Sequence, residues 1–137
     1  MYTTFKKMPV WQEAIDLSVT LFNLSEHLPK KEDYGFTSQI RRSALSISAN
    51  IAEAFGRHHT LDKINFYYMA RGSLTETQSH LEYAKKVGYI LPEKADKIDA
   101  VLCKLYNDIN KIILSLKADK RTDKRTGKGR GMGRESD

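Results

Sequence analysis

Apolar residues recur at spacings of three and four along four separate stretches of the chain, which is the period of helices that bury one face. The first stripe is Val10, Ala14, Leu17, Leu21, Leu24 and Leu28, widened by Trp11 and Phe22, and it predicts a helix over 9–28. Pro9 suits the first turn, where an N–H has no helical partner, and Pro29 stops the run. Polar Lys30, Lys31, Glu32 and Asp33, with Gly35, form the connection. The second stripe, Ile40, Ala44, Ile47, Ile51 and Ala54, has Leu45, Ala52 and Phe55 beside it and predicts a helix over 36–55, with Gly56 as its stop. Ser43, Ala44, Ser46, Ser48, Ala49 and Ala52 make this segment rich in small residues. Mid-helix serines lower propensity, so close packing on both sides, and the most enclosed place in the fold, is the expectation.

A third helix is predicted over 60–87, capped by Thr60, with Asp62 placed to meet the helix dipole. Its stripe is Ile64, Tyr67, Ala70, Leu74, Thr77, Leu81 and Ala84, and Gly88 ends it. Gly72 inside that line costs up to about 1 kcal/mol against alanine, which suggests a close helix crossing. Pro92 opens a fourth helix over 92–117, with Ala95, Ile98, Leu102, Leu105, Ile109, Ile112 and Leu116 along one face. None of the four can bury its stripe alone, and the short connections set sequential neighbours antiparallel. The expectation is an all-α, antiparallel, up-and-down four-helix bundle over residues 1–117. Residues 118–137 have almost nothing to bury and read as a disordered basic tail.

The length of 137 residues allows one domain and little more. Of the formal net charge of +6, half falls in residues 119–137, where Lys120-Arg121 and Lys124-Arg125 stand in two similar units. Such an excess permits contact with nucleic acid or acidic surfaces without requiring it. Apolar runs fall short of the roughly 18 residues that span a bilayer, and no apolar segment of signal-peptide type follows Met1. Cys103 is the single cysteine, expected as a small buried helical side chain. A reducing, cytoplasmic setting without membrane contact is the expectation.

Candidate chemistry is sparse. His58 and His59 are adjacent, His27 and His80 lie on other segments and Cys103 on a fourth, so no zinc ligand set converges. Glu76 and His80 are four apart, not at the Glu-x-x-His spacing of di-iron bundles. The glycines match no dinucleotide or phosphate loop. No metal, cofactor or catalytic residue is assigned. The candidate phosphate contacts are Arg41 and Arg42 on the second helix, Arg57, His58, His59 and Lys63 at the next corner, and Lys120, Arg121, Lys124 and Arg125 in the tail. Glu53 is read as an ion-pair partner for Arg41, Arg42 or Arg71. Phe66, Tyr67, Tyr68, Met69 and Ala70 in succession exceed what one helix face can hide, and Trp11, Phe22 and Phe55 add to the surplus. Self-association into a dimer or closed ring would cover it.

The runs Val10-Trp11-Gln12-Glu13-Ala14, Tyr34-Gly35-Phe36-Thr37-Ser38-Gln39-Ile40-Arg41-Arg42-Ser43-Ala44, Ser46-Ile47 and Asn50-Ile51-Ala52-Glu53 resemble one known family. So do Ala70-Arg71-Gly72-Ser73-Leu74-Thr75-Glu76-Thr77-Gln78 and the Gly88-Tyr89 turn. This is the four-helix-bundle family encoded within intervening sequences of bacterial 23S ribosomal RNA genes, the so-called S23 ribosomal protein family. The resemblance covers about residues 5 to 115. It implies a left-handed bundle that assembles into a homopentamer, and a distant similarity to the accessory variability proteins of diversity-generating retroelements, which partner a reverse transcriptase and nucleic acid. Ser48 stands where the family usually has proline and Ala54 where it has glycine, which removes a kink source from the second helix and lengthens it toward Gly56. The function expected is a non-catalytic oligomeric scaffold that binds structured RNA or DNA through basic patches, the alternative being a protein–protein interaction module. Trp11, Glu53, Tyr67, Tyr68, Arg71 and Gly72 are read as structural or interface residues.

Overall fold

The structure, a computed structural model, describes the backbone of residues 1–134 and the side chains of residues 1–120. Its four helices are α1 (Pro9–Ser25), α2 (Phe36–Gly56), α3 (Thr60–Lys86) and α4 (Pro92–Arg134), with single 3-10 turns at Phe5–Lys7 and Lys30–Glu32. No strand occurs among the described residues. Contacts across the interfaces run in opposite order on each pair. Ser18 meets Ala44 and Arg41 reaches back to Ser25 between α1 and α2. Ser43 faces Thr77 and Ser46 faces Ser73 between α2 and α3. Arg71 pairs with Asn110 and Lys85 with Asp96 between α3 and α4. The bundle is therefore antiparallel and up-and-down. The α2–α3 contact is the most extensive and the α1–α4 contact the slightest of the four.

One core fills the bundle. Leu21, Ile40, Ile47, Ile51, Leu74, Leu102, Leu105 and Ile109 are almost wholly shielded from water. The small residues of α2 let its neighbours approach closely, and their hydroxyls find partners. The Ser18 hydroxyl of α1 donates to the Ala44 carbonyl at 3.0 Å. The Ser43 and Thr77 hydroxyls meet at 2.9 Å, as do those of Ser46 and Ser73. Ser43 and Ser48 also bond to carbonyls three residues back, which satisfies groups that would otherwise be buried without a partner. As expected, α2 is the most enclosed helix among the described residues, packed on both α1 and α3 and with the largest share of buried positions, although Leu45 and Ala49 on its outer side are exposed.

Several element ends differ from the sequence expectation. α1 ends at Ser25 rather than 28, since His27 and Leu28 N–H groups bond to carbonyls three residues back, a tightening that precedes Pro29. Thr60 does not cap α3: it is the first helical residue, and His59 occupies the cap position without a side-chain bond. α2 does run to Gly56, as expected from alanine at position 54. α4 continues past the expected end at 117, and the disorder expected of the tail falls, from residue 121 on, outside the residues whose side chains are described. The α3 end closes with Gly88 at φ +82, where the Tyr89 N–H bonds to the Ala84 carbonyl at 2.8 Å and the Gly88 N–H to that of Lys85 at 3.2 Å. This paired arrangement needs a left-handed residue and so favours glycine. Tyr89 then packs on Phe36, 5.9 Å between ring centres.

Gly72 marks no close crossing. A Cβ built there meets nothing within 4 Å. Its backbone φ is not positive, unlike that of Gly88. Gly72→Ala should therefore stabilise the fold by up to about 1 kcal/mol through helix propensity. Gly88→Ala should destabilise it by about 1–2 kcal/mol, because alanine is strained at that φ. Urea unfolding of both variants tests the pair, and a loss of stability in Gly72→Ala would contradict the open position assigned to it.

Candidate functional site

Three of the basic residues expected to meet phosphate, Arg41, Arg57 and Lys63, are engaged inside the chain. The Arg41 guanidinium, on α2, donates to the Ser25 hydroxyl, lies 3.4 Å from Glu26 and stacks over Phe22 at 4.5 Å. Arg57 follows α2, donates to Glu53 at 2.7 Å and covers the Phe66 ring at 4.7 Å. Glu53 thus pairs with Arg57, one turn away, and not with Arg41, Arg42 or Arg71 as expected. Both partners are about half exposed, so the pair is worth only about 0.3–0.5 kcal/mol. Lys63 donates to the carbonyls of Ala54 and Phe55 at 3.1 and 3.2 Å. It closes the end of α2, adding a second donor to the Ala54 carbonyl, which also accepts the Arg57 N–H, and one to the Phe55 carbonyl.

Arg42, His58 and His59 remain on the surface, and the two histidine rings touch edge to face at 5.1 Å. Lys120 is half-buried, while the side chains of Arg121, Lys124 and Arg125 lie outside the described residues. The structure therefore separates Arg42, in the first third of α2, from the Arg57–His59 corner. Among the described residues no three His, Cys, Asp or Glu side chains converge to hold a metal. His80 Nε2 is 3.4 Å from Glu76 without forming a hydrogen bond. Cys103 is exposed rather than buried, 3.6 Å from the Gln78 amide and 3.8 Å from Asp99. The period of α4 explains the correction, since Cys103 follows core residue Leu102 and is turned away from the stripe.

The residues read as structural fall into two groups. Trp11 packs edge-on against Phe5 at 5.0 Å, and Phe5 reaches Phe55 at 6.5 Å, so the N-terminal turn ties α1 to the end of α2. Arg71 donates to Asn110 at 2.9 Å and lies over Tyr68 at 5.0 Å, while Lys117 approaches the same ring at 5.5 Å. Cation–aromatic contacts of this kind are worth about 0.5–1 kcal/mol where exposed. An apolar strip runs over the outer sides of α1 and α2, where Val19, Phe22 and Leu45 are each roughly half exposed, as is Met69 on α3. Phe22 and Met69 belong to the surplus named from the sequence, whereas Val19 and Leu45 were not named in it. A groove between α1 and α2, floored by Ile15 and Ser18, joins Val19, Phe22 and Leu45. The signal was available, since Val19 and Leu45 fall off the stripes of their helices. No helix among the described residues is long and apolar enough to cross a membrane.

The family model of the 23S rRNA-intervening sequence protein matches residues 6–113. The chain belongs to that family. Among solved structures it is similar to a protein of unknown function from the S23 ribosomal protein family of Bacteroides thetaiotaomicron, at 28% identity and a TM-score of 0.71. The likeness covers 76% of this chain and 97% of that one. A comparison with curated proteins gives no match. The distant similarity to diversity-generating retroelement proteins is not part of these findings.

Within this intervening-sequence protein, Tyr67 is the buried aromatic of α3. It is 4% exposed, and burial pushes its hydroxyl up from 10.0 to about 12. The unfolded chain releases that proton first, so the stability linked to Tyr67 is fully present below pH 10 and is lost as pH rises toward 12. Tyr67→Phe should remove this part of the alkaline loss, up to about 2–3 kcal/mol. Denaturation of both proteins between pH 9 and 12 should show the gap moving in favour of the variant. A gap that stays constant with pH would mean that the hydroxyl is not held neutral.

Proposed function

We propose that the chain is a non-catalytic, oligomeric helical scaffold, and that it contacts structured RNA or DNA through the basic residues left uncommitted on its surface. The observation that carries the oligomeric half is the strip of Val19, Phe22 and Leu45, large apolar side chains left half exposed around one groove between α1 and α2. Contiguous apolar surface of this kind marks interaction sites, and a second copy of the chain covers it symmetrically. The homopentamer implied by the family resemblance is the assembly we expect. The nucleic-acid half rests on Arg42, His58 and His59, which are exposed, and on the basic residues from Lys120 onward. Phosphate contacts of this type give affinity without much sequence selection and fade with salt.

A second reading has its own support. Arg41, Arg57, Lys63 and Arg71 are engaged within the chain, which leaves fewer cations for phosphate than the sequence suggests. A protein–protein interaction module, whose basic charge serves solubility, fits that observation. The family membership does not decide between the two.

Two measurements separate these ideas. Leu45→Glu should convert the assembly to a smaller species in sedimentation velocity without lowering helicity. An unchanged sedimentation coefficient would remove the strip from the interface. Arg42→Glu should weaken binding to a structured ribosomal RNA fragment by about threefold to tenfold and lower the salt slope by about one. Arg41→Glu should instead reduce stability, because it breaks the tie to Ser25 and Glu26. If neither variant changes RNA binding, or no binding is seen at low salt, the protein-partner reading takes precedence.

A further inference from the structure

One end of the bundle is left open where the start of α1, the end of α2, the start of α3 and the residues of α4 around Ile112 come together. A half-open cavity of about 520 Å³ lies there, within the range of small-molecule sites. Its walls are mainly apolar, with Met8, Val10, Phe55, Ile112 and Leu116 among them. Two polar groups face it from α3. Lys63 and Tyr67 both line the cavity, and their spacing of four places them on one side of the helix.

These two groups are donors without a matching acceptor. Tyr67 is almost wholly buried, yet burial alone accounts for its raised pKa, and no hydrogen-bond partner for its hydroxyl occurs among the described residues. The hydroxyl oxygen itself is not closed off from solvent, so the donor opens toward the cavity. Lys63 gives two of its three N–H groups to the carbonyls of Ala54 and Phe55. No carboxylate lies within ion-pair distance of it among the described residues. Asp108, Lys111 and Asp119 also line the cavity. Asp108 is already 3.1 Å from the Lys104 ammonium, and the remaining two carry opposite charges. The cavity thus combines a neutral donor, a cation with one free donor, and an apolar wall.

We propose that this cavity binds an amphipathic monocarboxylate, its carboxylate accepting from the Tyr67 hydroxyl and the free N–H of Lys63, and its apolar body lying along Val10, Phe55, Ile112 and Leu116. An ionised acceptor shared by two donors gives the stronger class of hydrogen bond. A cationic amphiphile would set its head against Lys63, and an alcohol would forgo the charge. This site is separate from the outer strip proposed for self-association and does not depend on it.

The test is calorimetric titration of the full chain with dodecanoate below its micelle threshold, with dodecylamine and dodecanol as comparators. One saturable site per chain is expected, with dodecanoate binding at least tenfold more tightly than either comparator. Tyr67→Phe should weaken dodecanoate about tenfold or more, as loss of a hydrogen bond to a charged group does. Ile112→Trp should fill the cavity and abolish binding, while Leu45→Glu, on the outer strip, should leave it intact. Circular dichroism melting confirms that each variant is folded, and should Ile112→Trp fail to fold, Tyr67→Phe decides. Absence of binding, equal binding of dodecylamine, or wild-type binding by Tyr67→Phe overturns the proposal. So does abolition by Leu45→Glu, which would place the acid on the strip.

Discussion

The bundle depends on close approach at α2. Serine and alanine on its two flanks bring α1 and α3 near enough for hydroxyls to meet across both interfaces, Ser18 to the Ala44 carbonyl on one side and Ser43 to Thr77 on the other. Helices that approach this closely leave no room for large side chains between their axes. Bulk is therefore supplied from within by Leu21, Ile47, Leu74 and Leu105. The same geometry puts Leu45 outside.

Cations recur at the helix interfaces. Arg41 joins α2 to the end of α1, Lys63 joins α3 to the end of α2, Arg71 joins α3 to α4, and Lys104 joins α4 to Glu13 of α1 at 3.1 Å. Each presents several donors, which suits a site where helix ends or side chains offer only acceptors. The formal positive charge of the chain is in this respect partly architectural. That is why a count of lysines and arginines overstates what the surface can offer to a polyanion.

Helix number, order and core were legible in the sequence, because a stripe with a period near 3.6 and short glycine- or proline-marked connections leave few alternatives. Every core position from Val10 to Ala54 that the stripes identified, apart from Leu24 and Leu28, is buried. Side-chain partners were much less legible. Glu53 has Arg57 on its own helix face, and spacing alone favours that pair over any arginine on another helix. Cys103 and Gly72 were misplaced for a related reason: residue type suggested burial or close contact, whereas position on the helical wheel turns both outward. The cavity was invisible to pattern reading because it is formed by the ends of three helices against the middle of α4, and nothing in their local sequences states how far these segments stand apart.

The slight contact between α1 and α4 gives the bundle a seam. The partly exposed Lys104–Glu13 pair crosses it, and a surface hollow lined by Leu17, Ile98 and Val101 lies farther along the same groove. The other three interfaces have wider packing, so closure of the ring contributes the smallest share of the free energy that holds the helices together. Fluctuations of the folded chain should follow that inequality. The α2–α3 hairpin behaves as the keel of the molecule, and the first and last helices swing from it as outriggers, with amides beside the seam exchanging with solvent well before those of the keel.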